Sequence, residues 1–177
     1  MSFEAIRKSN AHAAKLLQLF SFMNPDLILT DFLVSGARGI EDNLREVVSD
    51  MTKLAKALCE LEKFSLIKWN RSAKTLSIHR LVQIVVRDEM SSEAKESLMN
   101  TIVEISYCAF PRKVTNDTRA LCRRYRSQVM PLLQFKGIET LRIAEVMETV
   151  SKFLLSDGSN KEAERFCMLG QNVRAAI

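Results

Sequence analysis

The sequence predicts a mainly α-helical protein that carries one small β-hairpin. Gly and Pro number only 5 and 3 in 177 residues, too few breakers for an all-β sandwich. Apolar residues recur along most of the chain at i, i+3 and i+4, the spacing of one helical face. In one stretch, residues 54–87, that spacing gives way to alternation and then returns. This reads as helix, hairpin, helix, the core of a winged-helix domain.

Residues 1–10 form a lead-in with at most one turn of helix. A helix over 11–23 places Ala13, Leu16, Leu17 and Phe20 on one face. Asn24-Pro25-Asp26 stops it, because a proline disfavours helix in the residue before it. Asp26 can cap a short helix over Leu27–Val34. Ser35-Gly36-Ala37-Arg38-Gly39 reads as a flexible loop, and 40–49 as a weak helix or ordered loop. Leu54, Leu58 and Leu61 then mark a helix ending near Phe64. Ser65–Trp69 alternate as a strand, Asn70-Arg71-Ser72 turn, and Thr75–Ile78 return. His79 opens a helix whose apolar stripe is Val82, Val85 and Val86.

Beyond Met90 the pattern is helical throughout. A helix over 92–110 carries Leu98, Ile102, Ile105 and Ala109. After a polar stretch, Asp117 caps a helix with Leu121, Cys122, Tyr125 and Val129 on one side, and Pro131 ends or kinks it. Gln134–Gly137 make a short connection. A helix over 138–156 is broken by Asp157-Gly158, and a last helix over 160–176 carries Ala163, Phe166, Cys167 and Gly170.

Composition narrows the function classes. Apolar residues make up 47% of the chain and charged ones 27%, enough for a core and a soluble surface. A net charge of +5, spread over 26 basic residues, permits an acidic partner without demanding one. No apolar run reaches the ~18 residues of a membrane span. The opening Met1-Ser2-Phe3-Glu4-Ala5-Ile6-Arg7 has no signal-peptide core and reads as the interior of a longer protein. Cys59, Cys108, Cys122 and Cys167 lack metal-ligand spacing and fall among apolar neighbours, as reduced core thiols of a cytoplasmic protein do. No GxxxxGK[ST] loop is present; the nearest run, Gly36-Ala37-Arg38-Gly39, lacks the lysine that meets phosphates. His12 and His79 lie in different helices with no nucleophile pattern beside them, so the chain is not expected to be an enzyme.

Three features remain as candidate sites. His79 starts a helix directly after a strand, where free N–H groups and the helix dipole favour an anion; the alternative is a helix cap packed on the hairpin. Arg119, Arg123 and Arg126 share one helical face and could grip phosphates, or form a solvated or interdomain face. Lys68, Arg71 and Lys74 on the wing keep DNA in view. The helix before the wing, however, mixes Lys53, Lys56 and Lys63 with Glu60 and Glu62, which is a poor reading surface. Trp69 and Phe64 read as hairpin core.

Several runs resemble a known family. Ser2-Phe3-Glu4-Ala5-Ile6-Arg7, Ala13-Ala14-Lys15-Leu16-Leu17, Leu58–Ile67 and above all Ile78-His79-Arg80-Leu81-Val82-Gln83 are similar to the segment after the nucleotide-binding core of fungal STAND (NB-ARC) NTPases. These are NLR-like proteins that end in tetratricopeptide repeats. The resemblance implies a winged-helix domain over 1–90, a helical connector over 91–137, and the start of a repeat over 138–177. Gly158, Ala163 and Gly170 match the repeat's small positions, whereas Asn160 and Cys167 depart from it. It further implies that His79 occupies the place of the His that touches the β-phosphate of bound ADP, although Arg80 stands where that motif has Asp. ADP or ATP is then expected only in a full-length parent, with no cofactor held by this chain alone. The expected partners are an upstream nucleotide-binding domain, a downstream repeat array and the repeats' protein ligands, with neither nucleic acid nor membrane. The expected function is a regulatory latch and scaffold. A winged-helix nucleic-acid binder and a stand-alone helical interaction module are the alternatives.

Overall fold

The computed structural model describes residues 3–40, 42–134, 138 and 140–177. The first elements are α1 (Phe3–Ser9), α2 (Ala11–Phe20), β1 (Ile28–Leu29), α3 (Thr30–Ser35), α4 (Asp42–Ser49) and α5 (Met51–Lys63). The hairpin β2 (Ile67–Asn70) and β3 (Thr75–Ile78) and the helix α6 (Arg80–Asp88) follow. The arm is α7 (Ser92–Ala109), α8 (Asn116–Val129), α9 (Leu141–Ser156) and α10 (Asn160–Ala176). The protein is thus mainly α with a small hairpin, as its composition and spacing predict. Among the described residues no helix is long and apolar enough to cross a membrane.

Local chemistry accounts for the starts of these helices. The Asn10 carboxamide accepts the Ala13 N–H at 2.9 Å, and the Asp50 carboxylate accepts from Thr52 and Lys53. Thr115 and Thr118 form a reciprocal cap at α8, so Thr115 takes the role that the sequence suggested for Asp117. The expected apolar face of α2 is buried, and Leu54, Leu58 and Leu61 of α5 close over it.

The sheet is antiparallel in the order β1-β3-β2, with Ile28 opposite Leu76 and Ile67 opposite Ile78. A strand, helices, and a hairpin that pairs back on that strand make the winged-helix topology. The expected helix over Leu27–Val34 is corrected: Ile28 and Leu29 pair with β3, and the helix begins only at Thr30. Thr30 is fastened there, its N–H and hydroxyl both donating to the Lys74 carbonyl at 3.0 Å.

The expected flexible loop at 35–39 is a 3-10 turn, Ala37–Gly39, pressed against α7. A Cβ on Gly36 would lie 2.6 Å from Ile105, and one on Gly39 2.4 Å from the Glu104 backbone. These glycines serve close backbone approach. Helix α8 lies along β1 and α3. Tyr125 meets Phe32 edge-on at 5.1 Å, and its hydroxyl bonds Ser35 at 3.2 Å. Fully buried Gln128 donates to the Leu27 carbonyl at 2.8 Å and accepts the Leu29 N–H at 3.3 Å, on the outer edge of β1. One buried apolar cluster therefore runs from α2 through α10. Helices α9 and α10 form a close hairpin, where a Cβ on Gly170 would sit 3.3 Å from Met147 Cβ and 3.5 Å from the Ala144 carbonyl. Residues 135–137, most of the expected Gln134–Gly137 connection, lie outside the described residues.

Candidate functional site at the start of helix α6

His79 is exposed and caps α6 with its own ring, Nδ1 accepting the Leu81 N–H at 3.2 Å. An accepting Nδ1 places the proton of the neutral ring on Nε2. The exposed residue therefore keeps Nε2 as a donor that the cap does not use. Arg80 beside it pairs with Asp26 at 3.1 Å, both side chains about three-quarters exposed (73% and 74%). Pro25, Leu66, Ile67 and these residues line a shallow depression of about 420 Å³.

The apolar stripe expected along this helix is corrected. Val86 is buried and Val82 half-buried, but Val85 points outward at 53% exposure, together with Leu81 at 64% and Ile84 at 45%. The inward position is taken by Gln83. Its amide donates to the carbonyls of Phe20 at 2.9 Å and Met23 at 3.0 Å, satisfying the frayed end of α2. Helix α6 is thus tied down by a polar anchor and leaves an apolar face outside, next to His79.

Three of the four arginines of α8 are paired with carboxylates within the molecule. Arg123 donates to Asp157 through Nε at 2.7 Å, Arg124 grips Asp31 at 2.8 and 3.2 Å, and Arg126 pairs with Glu162. The Arg123 hydrogen bond and charge hold the Asp157 carboxyl below its usual range, helped by Arg119 and Arg126. The Arg119 Nε is buried without a hydrogen-bond partner among the described residues. The face formed by Arg119, Arg123 and Arg126 thus meets carboxylates at the α9–α10 hairpin.

Charges near the wing are partly paired, and among the described residues Lys56, Lys68 and Lys74 make no ion pair. Glu46 pairs with Lys53, whose hydrogen bond draws the carboxyl below its usual range. Lys63 meets Glu60 at 3.2 Å. Arg71 stacks 4.4 Å over the half-buried Trp69 and bonds Glu62 at 2.9 Å. Glu62 also accepts the Trp69 N–H at 3.2 Å, on the outer edge of β2.

Of the cysteines expected in the core, only Cys122 is buried; Cys59 is half-buried, and Cys108 and Cys167 are exposed. Burial pushes the Cys122 thiol up; Cys108, exposed as a residue, is pushed up by partial desolvation of its sulfur and by the Glu104 charge. All four are free, and among the described residues no cluster of His, Cys, Asp and Glu could hold a metal. Sequence reasoning missed Gln83 and Gln128, and it gave Asp26 to a helix cap where the structure pairs it with Arg80. The available signal was a glutamine standing inside an apolar stripe, between Val82 and Val86 and again between Tyr125 and Val129.

No curated protein and no solved structure matches the chain. Residues 4–95, from α1 to the start of α7, match a family described as Domain of unknown function (DUF7779). That span covers the winged helix, the His79 corner and more than half of the 177 residues, so the chain belongs to the DUF7779 family.

Proposed function

We propose that this chain is a regulatory and scaffold segment of a STAND (NB-ARC) signalling NTPase. In this reading it latches an upstream nucleotide-binding domain and links it to a tetratricopeptide array. The observation that carries the proposal is the pairing at α6 of an exposed His79, its Nε2 donor not used by the cap, with the outward face of Leu81, Ile84 and Val85. An apolar face supplies docking area, and a single donor supplies dependence on what the docked domain holds. ADP bound by that domain offers a phosphate oxygen. His79 is fitted to meet it through Nε2, and Arg80 adds positive charge in place of the family's aspartate. The differential contact biases a closed, resting state. The α9–α10 hairpin, closely crossed at Gly170, suits the first unit of a repeat array. In this role the segment carries no catalysis of its own and works in the cytoplasm. Nucleic acid is the weaker partner, because α5 mixes basic with acidic residues and Lys53, Lys63 and Arg71 pair with Glu46, Glu60 and Glu62.

The test is His79→Ala in two settings. In the isolated chain it removes one exposed cap and costs about 1 kcal/mol or less. In a protein carrying this segment after its nucleotide-binding domain, it speeds ADP release and raises the oligomeric fraction. A loss of several kcal/mol in the isolated chain, with ADP release unchanged, removes the latch.

A further inference from the structure

A second surface adjoins the first along α6 and shares Arg80 and Ile84 with it. Arg80, Gln83, Ile84 and Arg87 fall at i, i+3, i+4 and i+7 and form one wall of a groove of about 640 Å³. The opposite wall comes from the end of α8, the 3-10 turn Met130–Gln134 and Arg165 of α10. Between the charged groups the lining includes the apolar side chains Phe22, Ile84, Met130 and Leu133. The charge around them is lopsided. Among the described residues that line it, three guanidinium groups, Arg80, Arg87 and Arg165, stand against a single carboxylate, Asp26.

The arginines differ in how they are held. Arg87 donates to the Ser21 carbonyl at 3.0 Å and stands 5.9 Å over the Phe22 ring, so its fork is fixed before any ligand arrives. Arg165 is exposed. Arg80 has only its exposed pair with Asp26, which is weak and exchangeable.

We propose that this groove receives an acidic peptide segment of a partner protein, its carboxylates on the arginines and its apolar side chains on the apolar lining. Arginine forks match carboxylates in a bidentate way, and the apolar lining asks for apolar side chains between them. Nucleic acid suits the groove less well. Its affinity comes from a run of phosphates along a basic track and from bases stacked on aromatic rings, and among the described residues Phe22 is the one aromatic ring that lines this groove. The groove shares Arg80 and Ile84 with the latch face, and Arg165, which lies outside that face, tests the groove apart from the latch.

The experiment titrates the chain, at physiological salt, into a panel of short fluorescent peptides that interleave glutamate with leucine or phenylalanine. Each peptide has a counterpart with glutamine for glutamate, and a single-stranded oligonucleotide serves as a further probe. Saturable binding of acidic members, absent from their glutamine counterparts, is expected. Arg165→Glu should weaken it about tenfold, as expected for losing one charge-assisted contact and reversing its sign. Lys113→Glu, a control outside the groove, should leave it unchanged. Arg165 carries no fold contact seen among the described residues, so an unaltered thermal melt for its variant accompanies the loss. The proposal is overturned if no acidic peptide binds, if glutamine counterparts bind equally, if Arg165→Glu has no effect, or if the oligonucleotide binds more tightly than every peptide.

Discussion

Two glutamines carry more of this structure than their type suggests. Gln128 and Gln83 are nearly inaccessible, at 0% and 4% exposure, and each satisfies backbone groups from a distant part of the chain. Gln128→Leu keeps the volume but strands the buried Leu29 N–H. It should lower stability by about 1–3 kcal/mol, the cost of an unsatisfied buried donor, read as a shift in the urea midpoint. By contrast, Arg80→Ala should change the same midpoint little, since its ion pair is exposed. Neither glutamine was legible as a structural anchor. A polar residue at helical spacing reads as solvent-facing, and its acceptors lie tens of residues away. His79 was legible because its place, directly between a strand and a helix, is fixed by local sequence.

At the scale of elements, long periodic segments were the readable ones. The α2 and α5 faces, the hairpin, and the glycine break at Gly158, with φ of 81°, emerge as the spacing implies. The failures share a cause. The two residues of β1 are too few to show alternation, and their strand character comes from pairing with Leu76 and Thr75 far along the chain. Gly36 and Gly39 signal flexibility in one dimension, yet in three they let α7 cross the backbone. Gly39→Ala should therefore act as an overpacking change. Its Cβ would meet the Glu104 backbone, and a backbone cannot swing aside as a side-chain tip can. The expected loss is about 1–3 kcal/mol or somewhat more. It should appear as a lower melting temperature, with faster amide exchange over α7 before α2.

For the whole molecule, the pH response follows from which groups are perturbed. Glu46, Asp50, Glu93, Glu148 and Asp157 have carboxyls held below their usual range, each chiefly by hydrogen bonds. A depressed folded value means that stability is present above the unfolded carboxylate value, about 4, and is lost as pH falls through the folded one. Cys108, Cys122 and Tyr125 are pushed up, first by desolvation. Their contribution is complete below the unfolded thiol and phenol values, about 8.5 and 10, and fades as pH rises through the folded ones. The melting temperature should thus be flat between roughly pH 5 and 8 and fall on both sides. Calorimetry across a pH series checks this, and a melting temperature that climbs on acidification below about pH 4 contradicts it. Because one core runs through α7 and α8, the winged helix and at least those helices should melt together.

The small sheet is finished at both margins by side chains. Gln128 from α8 occupies the outer backbone groups of β1, and Glu62 from α5 occupies the Trp69 N–H of β2. An uncovered strand margin is a template on which another chain can add a strand, the first step towards aggregation. Here each margin is guarded by a helix, so solubility depends on helix docking rather than on the charge of the strands. Loosening α8 would uncover Leu27 and Leu29 together, so β1 would become open to strand addition by a second copy as the core shared with α8 opens.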